Sequence, residues 1–257
     1  MAPGAGIPAD WYRTSLSANV DALYFERGGE AKAVLVVRML DPDEQERILD
    51  LACATGQRTL ALSRLGFDVV GVDTHADLLS SAAGEAEMQN LLPSFVEEDP
   101  RRLEFEDEFD IVLSLGGGAL EHFDYDEENL LAFEAAARAL RPGGRLLMQL
   151  PNVLHVAAHL PERTWIEESE TIELIEQHWN EPTHRLDGTR RSLLACEHTG
   201  ESEAVPFQRR LYAVEELAEI FESVGLSLAN VFDEEGWPCV PDDEQRELFV
   251  EARALQL

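Results

Sequence analysis

Two kinds of apolar patterning alternate along the first 150 residues. Short apolar runs, RILDLA at Arg47–Ala52, DVVGV at Asp68–Val72, Ser94–Glu98, DIVLSL at Asp110–Leu115 and Arg145–Leu150, predict strands. Between them, Arg58–Leu65, Ala76–Gln89 and Glu127–Leu140 carry apolar residues at helical spacing, the last stopped by Arg141-Pro142-Gly143-Gly144. Strands separated by helices in this repeating order predict a parallel sheet covered by helices on both faces. Ahead of them, Asp10–Leu40 reads as helix, with Trp11, Leu16, Val20, Leu23 and Tyr24 on one stripe and a break at Gly28-Gly29.

The rhythm changes after Pro151. Thr171–Trp179, Arg190–Glu197 and Val205–Tyr212 read as strands, with hairpin signals at Asp187-Gly188 and His198-Thr199-Gly200. Helix returns at Val214–Val224 and ends at Gly225; Ser227–Phe232 and Leu248–Ala254 complete the main sheet. The chain therefore divides into a helical cap (1–43), an α/β core (44–151), a β insertion (152–212) and the end of the core sheet (213–257), all one domain.

Composition changes this picture in one respect. The 257 residues are 45% hydrophobic, enough for a continuous core, but 51 Asp and Glu face 20 Lys and Arg, a formal net charge of −31. Lys32 is the single lysine. Such a field opposes nucleic acid and anionic membranes. Acid spread over the whole surface suggests a salt-rich cytoplasm, where a Debye length of about 3 Å at 1 M salt screens the repulsion. The start, MAPGAGIPADWYR, lacks the regions of a signal peptide, and no stretch suits a membrane span, so a cytoplasmic protein is expected. Cys53, Cys196 and Cys239 form no Cys-x-x-Cys pair, which excludes a disulfide framework and a cysteine-rich zinc site. His155 and His159 have helical chelating spacing but lack the glutamate of a zinc protease; no metal is expected.

Candidate chemistry lies at the carboxyl ends of the strands, where open parallel sheets bind ligands. The first strand runs into Asp50-Leu51-Ala52-Cys53-Ala54-Thr55-Gly56, small residues that allow a tight turn before a helix N-terminus. The second ends at Asp73-Thr74, whose carboxylate suits a ribose diol; the third ends at Glu98-Asp99, where an acid can accept from an adenine amine. Three acids on consecutive strand ends favour an adenosine bearing a cationic group and repel a phosphate.

ILDLACATG, VVGVD, EEDPRRLEFEDEFDIVLS and LRPGGRLLM, in this order, resemble the class I S-adenosylmethionine-dependent methyltransferases, of the small bacterial type acting on small molecules. ENLLAFEAAARALRPGGRLLMQLPN, LPERTW and RRLYAVEELAEIFESVGL extend the likeness over nearly the whole chain. The resemblance implies a Rossmann-like, doubly wound sheet of about seven mostly parallel strands with the last antiparallel. It implies S-adenosylmethionine as cofactor, with Asp50 at the methionine ammonium, Ala52 and Gly56 against methionine and ribose, Asp73 and the adjoining Thr74 at the ribose, and Asp99 and Pro100 at the adenine. Ser114, Leu115 and Gly116 would line the path of sulfonium and substrate, and Tyr12 and Tyr24 would close over the cofactor or pack in the core.

Two departures stand out. Ala52 and Ala54 replace family glycines, at roughly 1 kcal/mol or more wherever a left-handed backbone is required. Pro100 has no N–H to offer an adenine nitrogen. His122 is a candidate general base or acceptor-pocket residue, or an ordinary loop histidine; Arg209-Arg210 either offsets neighbouring acids or reaches the substrate cleft. The expected reaction is in-line methyl transfer to a small-molecule nitrogen or oxygen rather than carbon, by a monomer or homodimer. The alternatives are a module that holds the cofactor without transfer, and a nicotinamide dehydrogenase, which would want Gly-x-Gly-x-x-Gly at the first turn.

Overall fold

The computed structural model describes residues 29–116, 119–121, 123, 125–168, 171–194 and 204–256. The expected helix from Asp10, with Tyr12 and Tyr24, lies outside these residues, as do His122 and the turn expected at His198-Thr199-Gly200. Helix α1 (Gly29–Leu40) leads into β1 (Arg47–Leu51), α2 (Gln57–Arg64), β2 (Asp68–Asp73), α3 (Ala76–Met88), β3 (Ser94–Glu97), β4 (Phe109–Ser114), α4 (Asp126–Ala139) and β5 (Leu140–Pro151). After α5 (Val153–His159) come β6 (Arg163–Glu168), β7 (Thr171–Asn180), β8 (Arg185–Leu194) and β9 (Val205–Arg210), then α6 (Val214–Ser223), β10 (Leu226–Phe232) and β11 (Glu247–Ala254).

The main sheet has seven strands in the order β10-β11-β5-β4-β1-β2-β3. Strands β1 to β5 are mutually parallel, and β11 runs antiparallel to both β5 and β10. The strand order reverses between β1 and β4, which places the ligand crevice at their carboxyl ends. Alternation along the strands feeds two cores. One face, with Leu49, Leu51, Val70, Val72 and Leu146, packs under α4 and α6 through Phe133, Ala136, Leu217 and Phe221. The other, with Ile48, Val69, Ile111, Leu113 and Leu147, packs under α1 and α2 through Ala33, Val36, Ala61 and Leu62. Covered on both faces, β1 is an almost unbroken apolar run whose one acid, Asp50, is fully buried.

β5 begins at Leu140, earlier than the pattern suggests. Its register against β4 jumps from Phe109↔Leu140 to Ile111↔Arg145, so Arg141–Gly144 bulge out of the ladder before the strand resumes.

The second sheet is antiparallel, in the order β6-β7-β8-β9. It packs on α5 through a small core of Val156, Leu186 and Leu211 backed by Trp179 and Phe207. The sequence pattern signals neither α5 nor β6. It also misplaces a hairpin: Asp187-Gly188 is not a turn but lies inside β8, opposite His178 and Gln177. The chain reverses earlier, at Glu181–Thr183 and the left-handed His184 (φ 49°). Gly188 is needed for close packing instead, since a Cβ there would meet Glu176 O at 2.3 Å and the Phe207 ring at 2.7 Å.

Candidate active site

The turn after β1 is wound by alternate left-handed residues: Ala52 (φ 50°), Ala54 (φ 49°) and Gly56 (φ 72°). Both alanines thus hold the conformation that costs a Cβ-bearing residue most, and strain of order 1–2 kcal/mol each is stored beside the crevice. Gly56 admits no side chain, because a Cβ would lie 2.8 Å from Ala82 Cβ and 2.9 Å from the Phe95 ring. Asp73, at the end of β2, accepts the Ala54 N–H at 2.9 Å through Oδ2 and bonds from His75 N at 3.0 Å and His75 Nδ1 at 2.8 Å through Oδ1. The carboxylate therefore locks the turn while standing at the crevice edge, where it is 7% exposed. Thr74, half-buried beside it, contacts His75 Nδ1 at 3.3 Å.

Asp50 has a partner that the sequence reading missed. Arg58, in the first turn of α2, donates to Asp50 Oδ1 from Nε at 2.8 Å and also from Nη2. Thr59 Oγ1 donates to Oδ2 at 2.7 Å. A cation at a helix N-terminus opposes the helix dipole, and the buried carboxylate offsets that cost. Arg58 Nη1 continues to Leu115 O at 3.1 Å, so one guanidinium joins the ends of β1 and β4 across the point where strand order reverses. The signal available was a base two residues past the turn glycine, preceded by an acid on the strand.

Beyond β4, Ser114 and Leu115 are buried, and Gly116 (φ 86°) donates its N–H to Gln149 Oε1 at 3.1 Å. Gln149 Nε2 donates to Glu247 at the start of β11. The single lysine, Lys32 of α1, reaches the same place: its Nζ is 3.0 Å from where a Gly116 Cβ would stand. Burial, then the Arg58 charge, holds the Lys32 pKa below its usual value. Glu121 is buried in the segment after β4, and its Oε1 accepts from Arg209 Nε of β9 at 2.8 Å. Burial raises the Glu121 pKa; Arg209 opposes that shift and Glu247 adds to it.

Asp99 stands at the end of the third strand but is turned onto Arg101. It accepts Arg101 N at 2.9 Å, Nε at 3.0 and 3.1 Å, and Nη2 at 2.5 Å, and it caps a short turn begun by the buried Pro100. Burial works to raise its pKa, but the hydrogen bonds and charge of Arg101, with the Arg102 charge, outweigh it and hold Asp99 below its ordinary value. Cys53, buried between the carboxylates, has its thiol pKa pushed well up by burial and then by Asp50 and Asp73, which leaves no thiolate for chemistry.

The structure thus gathers Asp50, Ala52, Gly56, Asp73 and Thr74 on one side of the crevice and Ser114, Leu115 and Gly116 on the other, with Asp99 and Pro100 one strand further out. His155 Nδ1 and His159 Nε2 both lean on Asp243, at 2.8 Å to its carbonyl oxygen and 3.1 Å to its carboxylate. Among the described residues no group of three or more His, Cys, Asp or Glu is placed to hold a metal, and no helix is long and apolar enough to cross a membrane.

Residues 49–148 match the family described as a methyltransferase domain. Glycine N-methyltransferase of Mus musculus is 32% identical over 163 residues, 57% of this chain and 55% of that protein. The chain spans about half the length of the curated relatives it matches. A solved S-adenosylmethionine-dependent methyltransferase from Clostridium acetobutylicum superposes with a TM-score of 0.75 at 15% identity, over 95% of this chain and 98% of that one. The S-adenosylmethionine-bound amino pentose methyltransferase CalS10 of Micromonospora echinaspora gives 0.66 at 16% identity, over 98% and 100%. The chain has the fold of solved S-adenosylmethionine-dependent methyltransferases and matches the methyltransferase domain over residues 49–148, and the group that this likeness implies is S-adenosylmethionine.

The residues present fit that group. Buried carboxylates line the crevice where a phosphate would be repelled. Asp50 and Arg58 would offer a zwitterionic amino-acid tail one charge of each sign. Thr55 Oγ1 is buried in the turn with no hydrogen-bond partner among the described residues, a donor and acceptor that a bound polar group would satisfy.

Proposed function

We propose that this protein transfers a methyl group from S-adenosylmethionine to a nitrogen or oxygen of a small-molecule acceptor. The observation that carries the reading is the pair of buried acids, Asp50 and Asp73, set at the ends of β1 and β2 around the left-handed turn. When bound, the cofactor would supply an electrophilic methyl on a sulfonium sulfur for the acceptor's lone pair to take.

The chain's own residues bind and orient. Asp73 has lone pairs beyond those used by Ala54 and His75 for two ribose hydroxyls. Asp50 and Arg58 receive the ammonium and carboxylate of the methionine tail, with Lys32 at hand for the latter. Asp99 keeps acceptor capacity for an adenine amine, while Pro100 contributes apolar surface and no donor. Ser114, Leu115 and Gly116 line the wall along which acceptor and methyl meet. Holding the two in line removes translational and rotational freedom, an advantage of about 7–11 kcal/mol in well-aligned reactions.

The second sheet covers the acceptor side, since Arg209 of β9 reaches Glu121 and Arg210 N donates to Glu121 O at 3.0 Å. That cover favours a small acceptor over a polymer, and the charge of −31 disfavours a polyanion. Solved neighbours acting on an amino pentose, on a sugar nitrogen and on a glycopeptide nitrogen share this layout of the fold and support a small-molecule acceptor here. In this reading the protein works as a monomer or homodimer in a salt-rich cytoplasm, on a division into cap (1–43), core (44–151), insertion (152–212) and closing segment (213–257).

Calorimetry with S-adenosylmethionine, followed by a methyl-transfer assay across metabolite pools, tests the reading. Binding and turnover are expected. Binding without turnover on any acceptor would favour a module that holds the cofactor, and tight binding of a dinucleotide in its place would overturn the site.

A further inference from the structure

Glu121 is 2% exposed, yet among the described residues only one of its two carboxylate oxygens is used. Oε1 takes both Arg209 contacts, from Nε at 2.8 Å and from Nη2. Oε2 is buried with no hydrogen-bond partner among the described residues. A buried, unsatisfied carboxylate oxygen costs far more than an apolar side chain in its place, so its retention calls for a group that it meets in the working state. Its position supplies one. Glu121 follows the end of β4 by seven residues and is faced by Arg209 from β9 and by Glu247 from the start of β11, beside the carboxyl end of β5. That is the acceptor side of the crevice, under the second sheet.

We infer that Glu121 binds the methyl acceptor through Oε2 and that the acceptor is an amine. This inference rests on the methyl-transfer reading above. A hydroxyl acceptor would have to give up its proton to a carboxylate that is a far weaker base than an alkoxide, and the alkoxide would form beside a negative charge. An amine attacks with its own lone pair while donating an N–H to Oε2. As the N–C bond forms and the S–C pair leaves with sulfur, positive charge moves onto nitrogen, facing a carboxylate already oriented by Arg209. The amine enters uncharged, having left its ammonium proton in water, and the methylammonium product keeps both N–H protons, paired with Oε2, until it gives one to water on release.

The alternative is that Glu121 and Arg209 form a brace between sheet and insertion with no contact to substrate. The two differ in what a shape-preserving change does. The probes are glucosamine, glycine and putrescine, each against its hydroxyl counterpart glucose, glycolate or butane-1,4-diol. Transfer to at least one amine, and to none of the alcohols, is expected. In Glu121→Gln the amine's kcat/KM should fall about 30-fold, while the Kd for S-adenosylmethionine by calorimetry stays within twofold. Binding of the same amine to protein saturated with S-adenosylhomocysteine, read by saturation-transfer NMR, should be lost in parallel.

Glu121→Asp, which keeps the charge and shortens its reach, should recover part of the rate, and Arg209→Lys should cost less than Glu121→Gln. If Glu121→Gln does not fold, Glu121→Asp carries the test: a tenfold or greater loss of amine kcat/KM at unchanged cofactor Kd is expected, and parity with wild type overturns the inference. Preferred transfer to an alcohol, unchanged amine kinetics in Glu121→Gln, or no transfer to any amine by protein that binds the cofactor would each overturn it as well. Failure of wild type to bind S-adenosylmethionine would instead overturn the underlying reading, and calorimetry shows that separately.

Discussion

Arg58 grips Asp50 from across the β1–α2 turn, both side chains buried, and the same guanidinium holds Leu115 O at the end of β4. The two ends of the crevice are thereby tied by one cation. A buried ion pair of this kind contributes little by its mere presence, but removing one member leaves an uncompensated charge. Arg58→Met should destabilise the fold by about 3–5 kcal/mol. Arg58→Met with Asp50→Asn should recover much of that loss. Urea denaturation of the three proteins measures both effects, and equal stability of single and double variants would contradict the coupling.

The left-handed alanines make the opposite prediction. Ala52→Gly and Ala54→Gly each remove a Cβ from a position of φ 50° or 49°. The relief of about 1–2 kcal/mol exceeds the entropy that glycine adds to the unfolded chain, about 0.4–1 kcal/mol. Each variant should be slightly more stable in urea, with S-adenosylmethionine affinity by calorimetry equal or tighter.

Much of the fold around this turn is legible in the sequence. The parallel core was legible because buried strands and amphipathic helices have different periods, and β1, β2 and β4 fall within a residue or two of their apolar runs. The acids at the strand ends were legible for the same reason: a strand end is where an open sheet binds. Arg58, Lys32 and Glu121 were not, because each is an ordinary charge in its own segment and acquires meaning only from a neighbour far along the chain. Lys32 meets Gly116, and Glu121 meets Arg209. The Asp187-Gly188 pair misled for a related reason. A glycine can serve a turn or a close approach, and only the neighbouring Phe207 and Glu176 decide which.

Asp99 links stability to acid. Its folded pKa lies below the ordinary 3.8, so its ionised form contributes stability above that value. The contribution should be lost as pH falls from 3.8 through the lower folded value. The difference in unfolding free energy between wild type and Asp99→Asn should therefore be steady at neutral pH and shrink across that window. A difference that grows towards acid would show that Arg101 does not stabilise the ionised carboxylate.

The charge of −31 predicts a salt response of the whole molecule. Screening of self-repulsion should raise Tm steadily from dilute buffer to about 1 M KCl, where the Debye length is roughly 3 Å. A flat or falling Tm in differential scanning calorimetry would remove the case for a salt-rich working environment.

The central claim is that the cofactor's ribose sits against Asp73. Calorimetric titration of S-adenosylmethionine into Asp73→Ala, with Asp73→Asn as the variant that keeps the shape of the turn, tests it most directly. Loss of charge-assisted hydrogen bonds worth about 1.5–3 kcal/mol each predicts affinity at least tenfold weaker in both variants. Affinity equal to wild type in Asp73→Asn would place the cofactor elsewhere.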